Sequence, residues 1–182
     1  MIIYLNGPTS CGKTTLAKAL QDYLDDPFLH IGIDHVIGFM PSKINDWEGG
    51  FAPEGFCWIE KEDGPHMHVG PYAQKICASL QEIAVLLAKK FDLIIDDVSF
   101  GAVQVNEWKR VLKDFDTLYV GVIAPLEILE VRESERSDRY LGSAKVQYAR
   151  VHENVDYDLE LDTHEMSLEQ CVKLISQSMS RS

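Results

Sequence analysis

Eight consecutive residues near the start of the chain, Gly7-Pro8-Thr9-Ser10-Cys11-Gly12-Lys13-Thr14, fit the pattern G-x-x-x-x-G-K-T. Each fixed residue type has a physical task. Two glycines let the main chain curl until successive N–H groups point inward, Lys13 brings an ammonium that reaches β- and γ-phosphates, and the Thr14 hydroxyl is a ligand for Mg²⁺. With Thr15, the run from Gly7 is a candidate cradle for the phosphates of a nucleoside triphosphate, read here as ATP. From average residue frequencies the pattern arises by chance in roughly one chain of this length in a hundred or more. The plain alternative is a glycine-rich turn that only caps the next helix.

Phosphate chemistry needs further groups, and the sequence offers them. "LIIDDV" places Asp96 and Asp97 at the end of an apolar run. One of the two should hold Mg²⁺, directly or through water, while the other points away or toward an acceptor. Transfer to a hydroxyl, unlike hydrolysis, also calls for a base near the acceptor. Asp34 ends "FLHIGID" and is the candidate base. His35 follows it and would face the opposite way if the chain stayed extended. In "VRESERSDR", Arg132, Arg136 and Arg139 recur at spacings of four and three. On one continuous helix they share a face and would neutralise charge on a phosphoryl group in flight.

These residues must be held by a scaffold. Apolar runs at 2–5, 28–34, 91–98, 117–123 and 157–163 predict five strands. Helical periodicity follows Thr14 as far as Pro27, and returns over 71–90 and 104–115. Further helices are expected over 126–136, after Pro125, and from about Ser167. Alternating strands and helices imply an α/β fold, a five-stranded parallel sheet with helices on both faces and the site at the carboxyl ends of the strands. Segment 41–70 breaks the alternation with five glycines, three prolines and six acidic residues, and reads as an acceptor-side loop or lid.

The chain has 182 residues, enough for one domain, 1–182. Its net charge of −12 argues against nucleic acid as a partner, although a local cationic site can still gather a small anion. No apolar run is long enough to span a membrane, and Met1 is followed at once by "IIYLN" without a basic leader. The four cysteines show no metal or disulfide spacing, so a reducing cytoplasm is the expected location. His66-x-His68 is too sparse for a metal site. A homo-oligomer would be ordinary for such an enzyme.

Taken in order, "LNGPTSCGKT", "GIDHVIGFMP", "LIIDDV", "LYVGV", "RESERSDR" and "VHENVDYDLELDT" make the chain resemble, over nearly its whole length, the chloramphenicol 3-O-phosphotransferase family of small-molecule P-loop kinases. The resemblance implies a P-loop NTPase fold and a small organic acceptor with a hydroxyl. It also implies that Asp34 is the base and that an arginine segment, 132–142, closes over ATP. Thr14 stands where the antibiotic kinase has serine, and 51–69 is longer, with Phe51, Phe56, Trp58, His66 and His68 unmatched. Those aromatics either line an acceptor site or anchor the segment. Two rivals remain: a nucleotide or nucleoside kinase, for which 41–70 lacks a base-recognising arginine or glutamine, and a nucleotide-binding regulator without transfer activity. A GTPase is not supported, because Asn-Lys-x-Asp is absent.

Overall fold

The computed structural model describes residues 1–62, 64–136 and 140–179. In its first half the elements are β1 (Ile2–Asn6), α1 (Lys13–Tyr23), β2 (Phe28–Gly32), α2 (Ile33–Ile37), β3 (Phe56–Lys61), β4 (Gly64–Val69) and α3 (Pro71–Ala88). The second half follows as β5 (Asp92–Asp97), α4 (Gly101–Val111), β6 (Thr117–Ile123), α5 (Leu126–Ser134), α6 (Ser143–Val151), β7 (Leu159–Asp162) and α7 (Leu168–Met179).

All five residues of β1 are buried, so both faces of the sheet around it must be covered. The pleat sends Ile3 and Leu5 into a core with α1, α5 and α7, and Ile2 and Tyr4 into another with α3 and α4. The sheet order is β2-β5-β1-β6-β7, parallel throughout. The strands that carry the glycine-rich loop and the paired aspartates are therefore neighbours, with Leu5 opposite Asp96 and Asn6 opposite Asp97. α1 buries Leu16, Ala17 and Leu20 on one stripe and gives way to extended backbone at Leu24, just before Asp25-Asp26-Pro27. α3 opens with Pro71 in its first turn, where a missing N–H is harmless.

Four expectations need correction. The second strand stops at Gly32, because the His35 ring turns back to accept the Gly32 N–H on Nδ1 (3.0 Å) and starts α2. Segment 41–70, expected as a loop or lid, contains regular structure. After a short 3₁₀ turn at Ser42–Ile44 it forms the antiparallel hairpin β3/β4, a separate two-stranded sheet. The helix expected over 104–115 starts earlier, at Gly101, and ends at Val111. The helix after Pro125 ends at Ser134, short of Arg136, since "ERSDR" supplies no apolar side chain to continue a buried stripe.

Candidate active site

The loop between β1 and α1 has the shape its glycines allow. Gly12 stands at φ +97, a left-handed position that a side chain strains, and a Cβ on Gly7 would lie 2.3 Å from the Val122 carbonyl oxygen. Ser10 also has positive φ, 62, and its hydroxyl is buried without a hydrogen-bond partner among the described residues. Lys13 is only 7% exposed. Its ammonium donates to the carbonyls of Gly7 and Pro8, each at 2.9 Å. Cys11 is fully buried behind the loop, and burial pushes its thiol up despite the nearby Lys13 charge.

Thr14 donates its hydroxyl proton to Asp96 Oδ2 at 2.6 Å. Burial alone would raise the Asp96 carboxyl, but His30, Lys13 and Thr14 together outweigh it and hold the group below the usual carboxylate range. His30 was not anticipated. It lies on β2 with Nε2 3.5 Å from Asp96 Oδ2, an electrostatic contact without the geometry of a hydrogen bond, and its ring meets that of His35 edge-on at 5.0 Å. Asp97 belongs to the other layer, where its Oδ2 accepts from Ser99 Oγ (2.7 Å), Trp108 Nε1 (2.8 Å) and, more weakly, Tyr4 Oη (3.5 Å). Asp34 sits in the first turn of α2, exposed, two residues past the Gly32 that pairs with Asp96. His35 shares that short helix, so the opposite-face relation expected of an extended chain does not hold.

On the other side of the loop, the Arg132 guanidinium donates through Nη1 to Thr163 Oγ1 (3.0 Å) and through Nη2 to the Thr163 carbonyl (2.9 Å). The Thr163 hydroxyl in turn donates to the Cys11 carbonyl at 2.9 Å. Arg132 and Arg136 line one cavity of about 310 Å³ with Ser10, Gly12, Thr15, Leu16, Thr163, Met166, Leu168 and Cys171. Arg139 lies outside the described residues. Next to Arg132, the buried Glu133 carboxylate accepts from Gly142 N (2.7 Å), Ser143 Oγ (2.6 Å) and Ala144 N (2.8 Å), capping α6. Further along α6, Gln147 Oε1 accepts the Thr9 main-chain N–H at 2.6 Å. Thr163 directly follows β7 at the same carboxyl edge of the sheet as Asp96, a positional signal that sequence reading can use. Gln147 carries no such signal.

The aromatic residues of the hairpin region divide between packing and exposure. Phe56 is buried and stacked on Trp47 (5.9 Å, 18°), and Trp58 stacks on Tyr140 (5.1 Å, 23°). Phe39 and Phe51 remain 73% and 69% exposed. No group of three metal-ligating side chains from histidine, cysteine, aspartate or glutamate occurs among the described residues. No helix among them is long and apolar enough to cross a membrane.

A parallel sheet in this order, a glycine-rich loop feeding α1, and an aspartate on the adjacent strand define the fold of the P-loop kinases. The chain belongs to the chloramphenicol phosphotransferase-like protein family, whose pattern it matches over residues 1–180. It is 30% identical over 183 residues to a protein of Mycobacterium tuberculosis strain H37Rv named "Putative O-phosphotransferase", covering 92% of this chain and 79% of that one. Among solved structures it is similar to the M. tuberculosis APS kinase CysC in complex with AMPPNP and APS (TM-score 0.67, 15% identity, 98% and 96% of the two chains). A gluconokinase from Sinorhizobium meliloti shares the fold as well (TM-score 0.62, 12% identity, 99% and 91%).

Proposed function

We propose that this protein moves the γ-phosphate of ATP to a hydroxyl of a small organic acceptor. The observation that carries the reading is the contact of Thr14 with Asp96 beside the buried Lys13 ammonium, which brings a candidate metal-ligand pair from α1 and β5 next to a candidate phosphate-binding cation. The residues suit a bound triphosphate. The unpartnered Ser10 hydroxyl and the left-handed backbone at Ser10 and Gly12 form a polar concavity of the kind that holds phosphate oxygens. The cavity beside it, apolar at Leu16, Met166 and Leu168 and cationic at Arg132 and Arg136, suits a nucleoside and its charged tail.

Thr14 and Asp96 would hold Mg²⁺, while the three contacts of Asp97 give it to the fold instead. A bound Mg²⁺ supplies charge neutralisation at the phosphate oxygens. Lys13 shifts from its carbonyl partners to the phosphates. Arg132 and Arg136, once released from their resting partners, place positive charge where the phosphoryl group departs, as the arginine reading of the sequence holds for Arg139 too. Asp34, at the carboxyl edge of the sheet and exposed, takes the acceptor's hydroxyl proton.

A panel of hydroxylated metabolites and antibiotics, chloramphenicol included, tests the reading by ADP release with mass-spectrometric identification of product. In that assay Asp34→Asn is expected to cut transfer by ~10²-fold or more while leaving nucleotide affinity nearly intact. Equal turnover in the two proteins would remove Asp34 from the chemistry. Nucleotide binding without any phosphorylated product would favour a regulator, and phosphorylated nucleosides a nucleoside kinase.

A further inference from the structure

The contact between Gln147 and Thr9 fixes more than a helix. A main-chain N–H can only donate, so it identifies the amide end facing Thr9 as oxygen and turns Nε2, with two N–H donors, elsewhere. That nitrogen makes no hydrogen bond among the described residues. α6 is not free to drift. Glu133 secures its first turn through three hydrogen bonds, and the Asn6 side chain donates to the Val151 carbonyl at its far end at 3.4 Å. Consecutive residues of α5 thus grip the loop from two sides, Arg132 through Thr163 at Cys11 and Glu133 through α6 at Thr9.

The two sides differ in chemistry. Ser10, Gly12 and Thr15 face the cavity that holds Arg132 and Arg136, and Thr9 does not line it. Thr9 directly follows Gly7 and Pro8, whose carbonyls carry the Lys13 ammonium. Thr9 thus stands outside the cavity, next to the carbonyls that hold the lysine, and Gln147 reaches the loop on that side.

Resting on the triphosphate reading above, we infer that Gln147 is a specificity-determining residue for the terminal phosphate. Anchored through Thr9, it offers its amide nitrogen to the phosphate that distinguishes a nucleoside triphosphate from a diphosphate. Gln147→Glu keeps the length and the acceptor for Thr9 but exchanges two donors for a negative charge. Gln147→Met keeps the length without charge or donors.

The test is calorimetric titration of the full chain with Mg²⁺ and either ADP or a non-hydrolysable ATP analogue, with no acceptor and no turnover. For the glutamate variant, affinity for the ATP analogue is expected to fall roughly tenfold or more while that for ADP changes less than about threefold. The methionine variant, which stands if the glutamate variant fails to fold, should lose about threefold or more of the triphosphate preference. Equal losses for both nucleotides, or no loss for either, would overturn the inference. Wild-type protein that binds neither nucleotide would instead bring down the triphosphate reading itself, and this inference with it.

Discussion

Asp96 and Asp97 are adjacent in sequence, and the pleat of β5 sends them to opposite layers, so their removal should have opposite signatures. Asp97→Ala strands the Trp108 N–H and the Ser99 hydroxyl, at ~1–3 kcal/mol for each buried donor left unpaired. A lower urea midpoint is the expected result. Burial, with the Asp97 carboxylate second, also pushes the Tyr4 phenol well above its ordinary value, so this cluster is built to stay as it is. Asp96→Ala removes no such network. It is expected to leave the urea midpoint nearly unchanged and to raise the Mg²⁺ needed for half-maximal turnover by more than the roughly tenfold that losing an outer partner causes. If the two variants exchange these phenotypes, the metal role belongs to Asp97. The sequence could place both aspartates at a strand end but could not choose between them. The choice depends on Trp108, Ser99 and Tyr4, partners whose approach is tertiary.

α6 depends on a residue outside it. Its N-terminal donors are met by Glu133, ten residues before Ser143, and not by a side chain in the usual capping position. Glu133→Ala should destabilise the fold by about 1.5–3 kcal/mol, the range for hydrogen bonds to a charged group, as read from chemical denaturation. A loss near zero would mean that solvent caps α6 as well as the carboxylate does. The same dependence explains why α6 was missed from sequence: its buried stripe is only Ser143, Ala144 and Val151, and its cap is remote. The hairpin escaped for a different reason. Pro65, Gly64 and two histidines interrupt the alternation of β4, yet in a two-stranded ribbon both strands are edges and tolerate residues that a central strand cannot. Ile33 and Asp34, which open α2, look like strand because "HIGID" alternates well, and the bond from the Gly32 N–H to the His35 ring marks where the chain turns.

Across the whole molecule the net charge of −12 coexists with a cavity lined by Arg132 and Arg136 next to the loop that buries Lys13, which shows how little total charge says about one site. The five strands were legible because continuous β-branched runs admit few other readings, and strand order then brought Asp34, Asp96 and the loop to one edge. Stability should respond to pH through His152. Burial, and next the Lys13 ammonium, hold its imidazole below the ordinary value. The unfolded chain then binds the extra proton first, so stability tied to the neutral ring is complete above about pH 6.5 and is lost as pH falls through the lower folded value. Thermal melts from about pH 7.5 to 5.5 should show a steeper decline for wild type than for His152→Asn. Parallel curves would acquit the histidine.

Lys13, resting on two carbonyls of its own loop, has a consequence for selectivity against common anions. Any visitor must first detach the ammonium from oxygens that already satisfy it. Free orthophosphate has no base or sugar to repay that detachment, whereas a nucleotide bound as proposed would recover it along the neighbouring cavity. On the proposed function, the resting lysine would set a threshold that a nucleotide crosses more readily than a free inorganic ion.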